Sequence, residues 1–482
     1  MLNNTTIGGS TVNNATLGNL HASVIGWVSG PKGRGSVDIM WGSFLAIFLC
    51  TWTAVCLNIP HPKDSKFKIL RRKTKWMIWA IIGPELVLSV AIGQYASARR
   101  SVKRFRKLGY PQWTLRHAFF ADMGGIILKP KDSTPFVVNA RQLVYLIEKN
   151  YLEFPTITAE EIWNMSKADT LSKLLTLLQA SWLVLQLVGR AILRLATSTL
   201  ELSAAAIVFC TFGTFVCWLQ KPSDVTQGIV LESEATTEQI LRDAGEKAAA
   251  PYKHTPLDFV AKESFTVGYD VMGFFNLRCD DRERPLQRFS NDRFPDISTI
   301  EKFALFCWTT AYAAFHLIAW HWMFPTTLES LLWRIASLII TGTTVSFWVF
   351  ETIAARQRFG RWDKYLIWLR LKKPCASDFS VDEEAQEDPR GDDVAPSALA
   401  SSGKDKVKAV ARLDTIHRLD AFEEEQKNAK PMLAWEVAII FFVTIFYATA
   451  RAYMILEVFI SMRKMPLGVY QTVEWIQVLP HW

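Results

Sequence analysis

Ionisable or amide side chains interrupt several apolar stretches of this 482-residue chain and could bind a small molecule. The candidates for substrate binding are Glu85, Gln179, Gln186 and Arg451. A charged group inside a membrane-length apolar run is costly and marks a substrate or ion site by default. Glu85 follows Gly83 and Pro84, where a helix can break and present its positive N-terminal end to the carboxylate. The alternative is a structural glutamate that caps the broken helix.

The two glutamines share one helical face with Trp182 and Arg190, because the successive spacings are 3, 4 and 4 residues. Such a polar stripe either lines a pathway or joins helices through hydrogen bonds, and the second role is the commoner one. Arg451 lies deep in the last apolar run. We expect it to pair, with Glu85 or Glu457 as partner, or to extend towards the nearby interface.

Signals for catalysis are weaker. His117 and Asp122 lie five residues apart before a Gly-Gly turn and could do acid-base work, but no nucleophile accompanies them, so no catalytic residue is assigned. His316 and His321 are also five apart, about 140° around a helix, which does not form a shared metal site. No nucleotide-binding, hydrolase or metalloprotease motif occurs, and we expect no cofactor and no metal.

The elements that position these residues are apolar runs of about 20 residues, the length that crosses a bilayer. Six runs satisfy this length: Ile39 to Leu57, Leu171 to Leu193, Thr199 to Leu219, Phe303 to Met323, Leu328 to Phe350, and Met432 to Ile460. A seventh candidate, Trp76 to Ala96, contains the Gly83-Pro84 break. It either enters the membrane and returns or crosses it as a kinked seventh helix.

The distribution of positive charge favours the re-entrant alternative. Lys and Arg cluster at residues 63–75, before this segment, and at 99–107, after it. A further cluster lies at 356–373. Because positively charged loops stay in the cytoplasm, all three clusters lie on one side only if the broken segment does not cross. A glycan on Asn164, in the sequon "NMS", would contradict this prediction.

The chain divides into alternating polar and apolar blocks. The predicted blocks are a polar extracytoplasmic tail (1–36), the first helix and broken segment (37–97), a polar loop with an amphipathic helix within Val137 to Glu153 (98–170), a helix pair (171–220), a second polar loop with a short helix at "TTEQILRDAGEKAAA" (221–302), a helix hairpin (303–354), a basic helix followed by disordered cytoplasmic sequence (355–431), and the last helix with its tail (432–482). The tail carries sequons at Asn3, Asn4 and Asn14 but no apolar run typical of a signal peptide, so we expect the first helix to direct insertion.

Composition supports a membrane protein and excludes other classes. The chain is 50% hydrophobic with 19 Trp, and its net charge of +8 comes from Lys and Arg beside the apolar runs. Nucleic-acid binding would need an aromatic-interleaved basic face, so we expect none. Five of the seven cysteines lie in apolar runs without metal-site spacing and are interpreted as buried hydrophobes.

The order of several motifs resembles a known group of sequences. The motifs are "VDIMWGSFLAIFLCTWTAVCLNIP", "KWMIWAIIGPE", "WTLRHAFFADMGG", "SKADTLSKLLTLLQASWLVLQLVGRA", "TLELSAAAIVFC" and "YQTVEWIQVLPHW". From Ser36 to the C-terminus the chain resembles an uncharacterised family of multi-pass membrane proteins from filamentous ascomycete fungi. The resemblance implies a fungal source and an integral membrane location, and it assigns no activity.

The sequence therefore predicts an all-α, polytopic membrane helix bundle of six or seven segments, one of them broken at Gly83-Pro84. Its partners are the lipid bilayer, a small-molecule ligand and a cytoplasmic protein. Three functions stay open: a transporter, channel or small-ligand receptor; a scaffold or adaptor; and a membrane-embedded enzyme acting on a lipid or terpenoid. The sequence does not distinguish among organelles.

Overall fold

A computed structural model describes residues 23–30, 34–166, 170–249, 251–252, 254–260, 284–291, 297–358 and 434–474. The helices are α1 (Ser36–Ala54), α2 (Lys66–Ile82), α3 (Pro84–Lys107), α4 (Leu115–Asp122), α5 (Ala140–Glu148), α6 (Ala159–Asn164), α7 (Thr170–Ile192), α8 (Thr199–Cys217), α9 (Thr237–Ala244), α10 (Thr299–Ala314), α11 (Thr327–Arg358) and α12 (Ala434–Ile460). The strands are β1 (Ser23–Ile25), β2 (Ile126–Lys129), β3 (Phe136–Val138), β4 (Ile229–Glu232) and β5 (Lys464–Pro466). A 3-10 helix, Phe315–His321, extends α10.

Six helices are long and apolar enough to cross a membrane, as the sequence predicts. They are Ser36–Ala54, Lys173–Ile192, Thr199–Cys217, Thr299–His321, Thr327–Ala354 and Trp435–Arg463. The seventh candidate is two helices, α2 and α3, with a bend of 113° between them. The helices extend beyond the apolar runs where polar residues continue the helical hydrogen bonds, and the clearest case is α2, which begins at Lys66.

Local sequence fixes where two of the membrane-length helices begin. At the start of α8 the Ser198 hydroxyl accepts from the Glu201 backbone N–H, and the Glu201 carboxylate accepts from the Ser198 backbone N–H at 3.1 Å. Ser298 and Glu301 form the same reciprocal pair at the start of α10. This capping box satisfies backbone donors that a helix start leaves free, so both starts are encoded locally.

One end of the bundle carries both termini of the described chain and is called the terminal end. Here β1 pairs antiparallel with β5, Arg34 forms an ion pair with the buried Glu201, and the Thr199 and Ser461 hydroxyls lie 2.7 Å apart. A hydrophobic cluster also joins the start of α8, the end of α10 with its extension, the start of α11 and the end of α12: Leu200, Leu202, Ala319, Phe324, Trp333, Met454 and Val458. The terminal end therefore gathers α1, α8, α10, α11 and α12.

The opposite end, called the domain end, carries a packed hydrophobic core rather than loose polar loops. Strand β2 pairs antiparallel with β3 and parallel with β4, which forms a three-stranded sheet that the all-α prediction misses. Large side chains from α3, α4 and the following segments fill the core: Phe105, Trp113, Phe119, Phe120, Phe136, Leu143, Ile162 and Trp218. The sheet is missed because its strands are three or four residues long and β4 comes about 100 residues after β2.

A tight turn joins α4 to β2 and explains the Gly-Gly pair of the sequence. Gly124 has a φ of 87°, which L side chains rarely adopt. A Cβ atom on Gly125 would lie 2.6 Å from the ring of Phe120. Both glycines are therefore required for the sheet to fold back onto α4.

Both ends of the α2–α3 pair lie at the domain end. The Ile59 backbone N–H, before α2, donates to the carbonyl oxygen of Met123, after α3, at 3.0 Å. Trp76 in α2 and Val90 in α3 belong to the same core as Trp113. Between these contacts the chain runs through α2, turns by 113° at Gly83 and continues in α3, a bend that is compatible with a broken span and with a re-entrant loop alike.

A buried lysine ties this return to the rest of the molecule. Lys221, four residues after α8, is 2% exposed, and its ammonium donates to the Cys56 carbonyl (2.8 Å), Asn58 Oδ1 (3.1 Å) and Gln94 Oε1 (2.9 Å). All three of its donors are used, and burial lowers the pKa of Lys221 to about 8. These bonds join the segment before α2, helix α3 and the end of α8.

A second unit comprises residues 347–441. Its described parts are the last residues of α11, to Arg358, and the first residues of α12. The predicted basic helix extends past Arg358, and the predicted disordered sequence follows it; both fall outside the described residues, apart from residues 355–358. The sequons at Asn3, Asn4 and Asn14 lie outside them as well, whereas Asn164 ends α6.

Candidate polar site at the helix break

The break between α2 and α3 leaves backbone acceptors without helical partners. Pro84 has no N–H, and the Leu86 N–H donates to Gly83 O at 3.0 Å instead of continuing the α2 pattern. The carbonyls of Ile81 and Ile82 therefore lie at the C-terminal end of α2 without the donors that a continuous helix would supply. In an apolar surrounding, each such group costs free energy unless a side chain binds it.

Arg451 of α12 supplies the missing donors. Its Nε donates to Ile82 O at 2.8 Å and one terminal nitrogen donates to Ile81 O at 3.2 Å. The arginine is 4% exposed. Its positive charge also lies at the negative end of the α2 dipole, which stabilises the half-helix further. Arg451 thus caps a helix that ends inside the bundle.

The remaining terminal nitrogen of the Arg451 guanidinium contacts His316. The His316 Nε2 lies 3.2 Å from this nitrogen, and its Nδ1 lies 3.3 Å from Ala313 O. Because a guanidinium only donates, Nε2 must accept and Nδ1 must carry the hydrogen. His316 is therefore neutral in this arrangement. Trp333 fixes the same segment, since its Nε1 donates to His316 O at 3.1 Å.

Glu85 occupies the first turn of α3, facing the same cluster. Its Oε1 accepts a hydrogen bond from the Tyr447 hydroxyl, one helical turn before Arg451. Its Oε2 is buried and has no hydrogen-bond partner among the residues that the structure describes. The Tyr312 ring lies 5.6 Å from the Arg451 guanidinium. One carboxylate oxygen next to a positive helix end is thus left free to accept from a further donor.

The close approach of three helices encloses this cluster. A Cβ atom on Gly213 of α8 would lie 3.0 Å from Leu88 of α3 and 3.0 Å from Trp308 of α10. Trp308 stacks on Phe209 with ring centroids 4.8 Å apart. Arg451 lies nine residues before the end of α12, so the break is roughly 13 Å from that end at a rise of about 1.5 Å per residue. The polar groups are therefore deep within the bundle.

The predicted site residues separate into two pairs. The structure brings Glu85 and Arg451 to one cluster, joined through Tyr447 and the helix break rather than by a direct ion pair. Gln179 and Gln186 are half-exposed on α7, which packs on α1 and α8. They contact none of the cluster residues in the described part of the chain, so their predicted role is separate from it.

Arg190, the last member of the predicted stripe, has a structural role. It is fully buried and donates to the carbonyls of Ala196 (3.0 Å), Gly468 (2.7 Å), Val469 (3.0 Å) and Gln471 (2.9 Å). It joins the α7–α8 connection to the C-terminal segment, and its position on α7 is explained without a ligand.

The candidate acid-base pair also makes structural bonds. His117 Nδ1 accepts from the Thr114 N–H at 3.2 Å, and Nε2 lies 2.9 Å from Ile157 O; burial lowers the pKa of His117. Asp122 accepts from Ser97 at 2.9 Å and from the N–H of Ala140 at the start of α5. These bonds order the domain end, and they favour a structural over a catalytic role for both residues.

Sequence reasoning missed two members of the cluster. Tyr447 carries no charge, so it gives no signal in a search for ionisable residues. His316 was noticed only as half of a metal pair that its spacing excludes. One sequence signal does point to Tyr447: Tyr447, Arg451 and Met454 are spaced 4 and 3 residues apart and therefore lie on the same face of α12.

Comparison with curated proteins and with solved structures finds no match to this chain. A family model described as "Family of unknown function (DUF8562)" matches residues 12–242 and 408–482, which together make up more than half of the chain. The matched ranges include the broken helix pair, α12 and both Glu85 and Arg451. The chain therefore belongs to this family of unknown function, DUF8562.

Proposed function

We propose that the chain is a multi-pass integral membrane protein that binds a small ligand at the α2–α3 break, as a transporter, channel or receptor does. The observation that carries the proposal is the buried Glu85 Oε2, which has no hydrogen-bond partner among the described residues. Broken helices at membrane depth persist only where protein or a polar cavity satisfies them, and in transporters they form the substrate site. The fungal source implied by the resemblance belongs to the same proposal.

The proposed topology has six crossings and one re-entrant pair. The two basic clusters, 63–75 and 99–107, lie at the outer parts of α2 and α3, which are the parts farthest along the chain from the break. By the positive-inside rule the domain end is cytoplasmic, and the terminal end faces outward. The segments on either side of the pair contact each other at the domain end, where the Ile59 N–H donates to Met123 O, and this contact supports the assignment over a seventh crossing.

The chemistry of the break favours a ligand that donates hydrogen bonds or carries positive charge. Glu85 Oε2 is an acceptor, whereas the donors of Arg451 are directed at Ile81, Ile82 and His316. An anionic ligand would have to displace these bonds. We therefore propose a small cation or an amine- or hydroxyl-bearing molecule.

The test compares ligand retention by native mass spectrometry of the protein in lipid nanodiscs. Wild type is compared with Glu85→Gln, which preserves shape and removes the negative charge. Glu234→Gln is the matched control, because the Glu234 side chain is 93% exposed and pairs with Lys131 at the surface. We expect a defined small molecule on wild type and on Glu234→Gln, and its loss from Glu85→Gln.

Equal retention by all three proteins, or bulk lipid alone on each, would remove Glu85 from ligand binding. Thermal unfolding of the same samples tells a lost ligand from a lost fold. The mass of the retained molecule then distinguishes a bound ion from a bound organic ligand.

A further inference from the structure

A second carboxylate lies at the terminal end, away from the helix break. Glu457, three residues before the end of α12, is 1% exposed. Its Oε2 lies 3.2 Å from the Tyr453 hydroxyl, and its Oε1 is buried without a hydrogen-bond partner among the described residues. Glu329, near the start of α11, acts electrostatically on it. Nothing in the helix break requires this group.

The hydrogens of this network can be counted. The Tyr453 oxygen lies 3.2 Å from Glu457 Oε2 and 3.2 Å from the backbone carbonyl of Glu329, and both of these atoms accept. A phenol has one hydrogen, so it can donate to only one of them. If Tyr453 donates to the Glu329 carbonyl, the second contact is a hydrogen bond only when Glu457 carries a hydrogen and donates it to Tyr453.

The charges support the same assignment. Arg463 is half-exposed and forms an ion pair with Glu329, whose Oε2 is buried without a hydrogen-bond partner in the described structure. Glu329, Tyr453 and Arg463 are the titratable groups that act on Glu457 there. With Arg463 bound to Glu329, an ionised Glu457 would be an extra buried negative charge, which is costly without a partner.

We propose that Glu457 is a proton-binding site at the terminal end of the bundle. The bound proton sits on Oε2 and is donated to the Tyr453 hydroxyl, which in turn donates to the Glu329 carbonyl. Release of the proton to water leaves a carboxylate beside the Glu329–Arg463 pair, and the exposed side of Arg463 gives the path to solvent. The site therefore couples the charge state of α12 to the pH outside the terminal end, independently of any ligand at Glu85.

The test is infrared spectroscopy of the carbonyl stretching band that only a protonated carboxylic acid gives, recorded at neutral pH in nanodiscs. Wild type is compared with Glu457→Gln, Glu85→Gln and Tyr453→Phe. We expect Glu457→Gln to lose one acid equivalent that Glu85→Gln retains. Tyr453→Phe should keep that band and shift it to higher frequency, because the acid loses its hydrogen-bond acceptor.

The frequency shift in Tyr453→Phe is measured with Glu457 itself in place. The proposal therefore stays testable if Glu457→Gln unfolds. A wild-type spectrum with no protonated acid assignable to Glu457 would overturn the proposal, and so would an ionised Glu457 balanced by a bound metal cation. Retention of the band in a folded Glu457→Gln protein would overturn it equally.

Discussion

Arg451 illustrates how one side chain can stabilise a helix that ends in an apolar bundle. Its donors bind the carbonyls of Ile81 and Ile82 and the ring of His316, and Tyr447 on the same helix binds Glu85. The charges of Arg451 and Glu85 balance across the break without a direct ion pair. The same hydrogen bonds therefore form the polar site and stabilise the break between α2 and α3.

Replacing this arginine should destabilise the protein more than a change of the same kind on its surface. Arg451→Met leaves two buried carbonyls and His316 without donors, and we expect the free energy of unfolding to fall by about 3 kcal/mol. Thermal or denaturant unfolding in detergent micelles measures the loss. Arg451→Lys should recover part of it, because an ammonium can still bind one or two of the acceptors.

Arg71→Met is the control, since Arg71 is an exposed residue of α2. A loss for Arg451→Met no larger than that of the control would mean that water, rather than Arg451, satisfies the carbonyls at the break.

The sequence identifies Glu85 and Arg451 because charge in an apolar run is a strong signal that needs no knowledge of neighbours. It also groups Gln179 and Gln186 with them as substrate-binding candidates, whereas the structure places these two glutamines on α7, away from the break, because a shared helical face does not say which helix that face meets. For Arg451 the sequence predicts either a carboxylate partner or extension towards the interface. In the structure Arg451 instead binds the backbone carbonyls of Ile81 and Ile82, which lack helical donors because of the break at Pro84. Free backbone carbonyls cannot be recognised from the types of the side chains around them.

At the scale of elements, the path of α2 and α3 depends on how closely α3 can approach its neighbours. Gly213 of α8 lies where a Cβ atom would press on Leu88 and Trp308. By contrast, a Cβ atom on Gly42 of α1 would meet nothing within 4 Å. Both glycines are inside helices, so a change to alanine raises helix propensity at both positions. A difference in stability between the two variants therefore reports the packing at Gly213.

We expect Gly42→Ala to raise the free energy of unfolding by up to about 1 kcal/mol, because alanine favours helix. Gly213→Ala should lower it by about 1 kcal/mol, because overpacking outweighs that gain. Unfolding curves of the two variants measure the difference. Equal stabilisation by both substitutions would show that the contact of α3 with α8 is loose.

Apolar length predicts most ends of the membrane-length helices to within a few residues, since this signal is local, but α11 continues eight residues beyond the predicted Phe350, to Arg358. The break at Gly83-Pro84 is local as well. The domain end is not predictable in this way, because its core combines side chains from before α2, from residues 98–165 and from residues beyond α8. The sequence of each of these segments alone is typical of a polar loop. Their apolar side chains become buried only where the segments pack against one another.

At the scale of the whole molecule, the central claim is that the broken pair returns to the side from which it started. This claim determines the side of every later segment. It places the two basic clusters, the three-stranded sheet and Asn164 on one side, and β1, β5 and the C-terminal segment on the other.

The most direct measurement is labelling of single introduced cysteines by a membrane-impermeant maleimide in sealed vesicles, with the parent protein as the baseline. The positions are Lys63 before α2, Lys107 at the end of α3, and Thr472 at the terminal end, all of them exposed. We expect Lys63→Cys and Lys107→Cys to react from the same side, and Thr472→Cys from the opposite one. Labelling of Lys63→Cys and Lys107→Cys from opposite sides would mean that the segment crosses the membrane, and it would contradict the re-entrant pair and the site built on it.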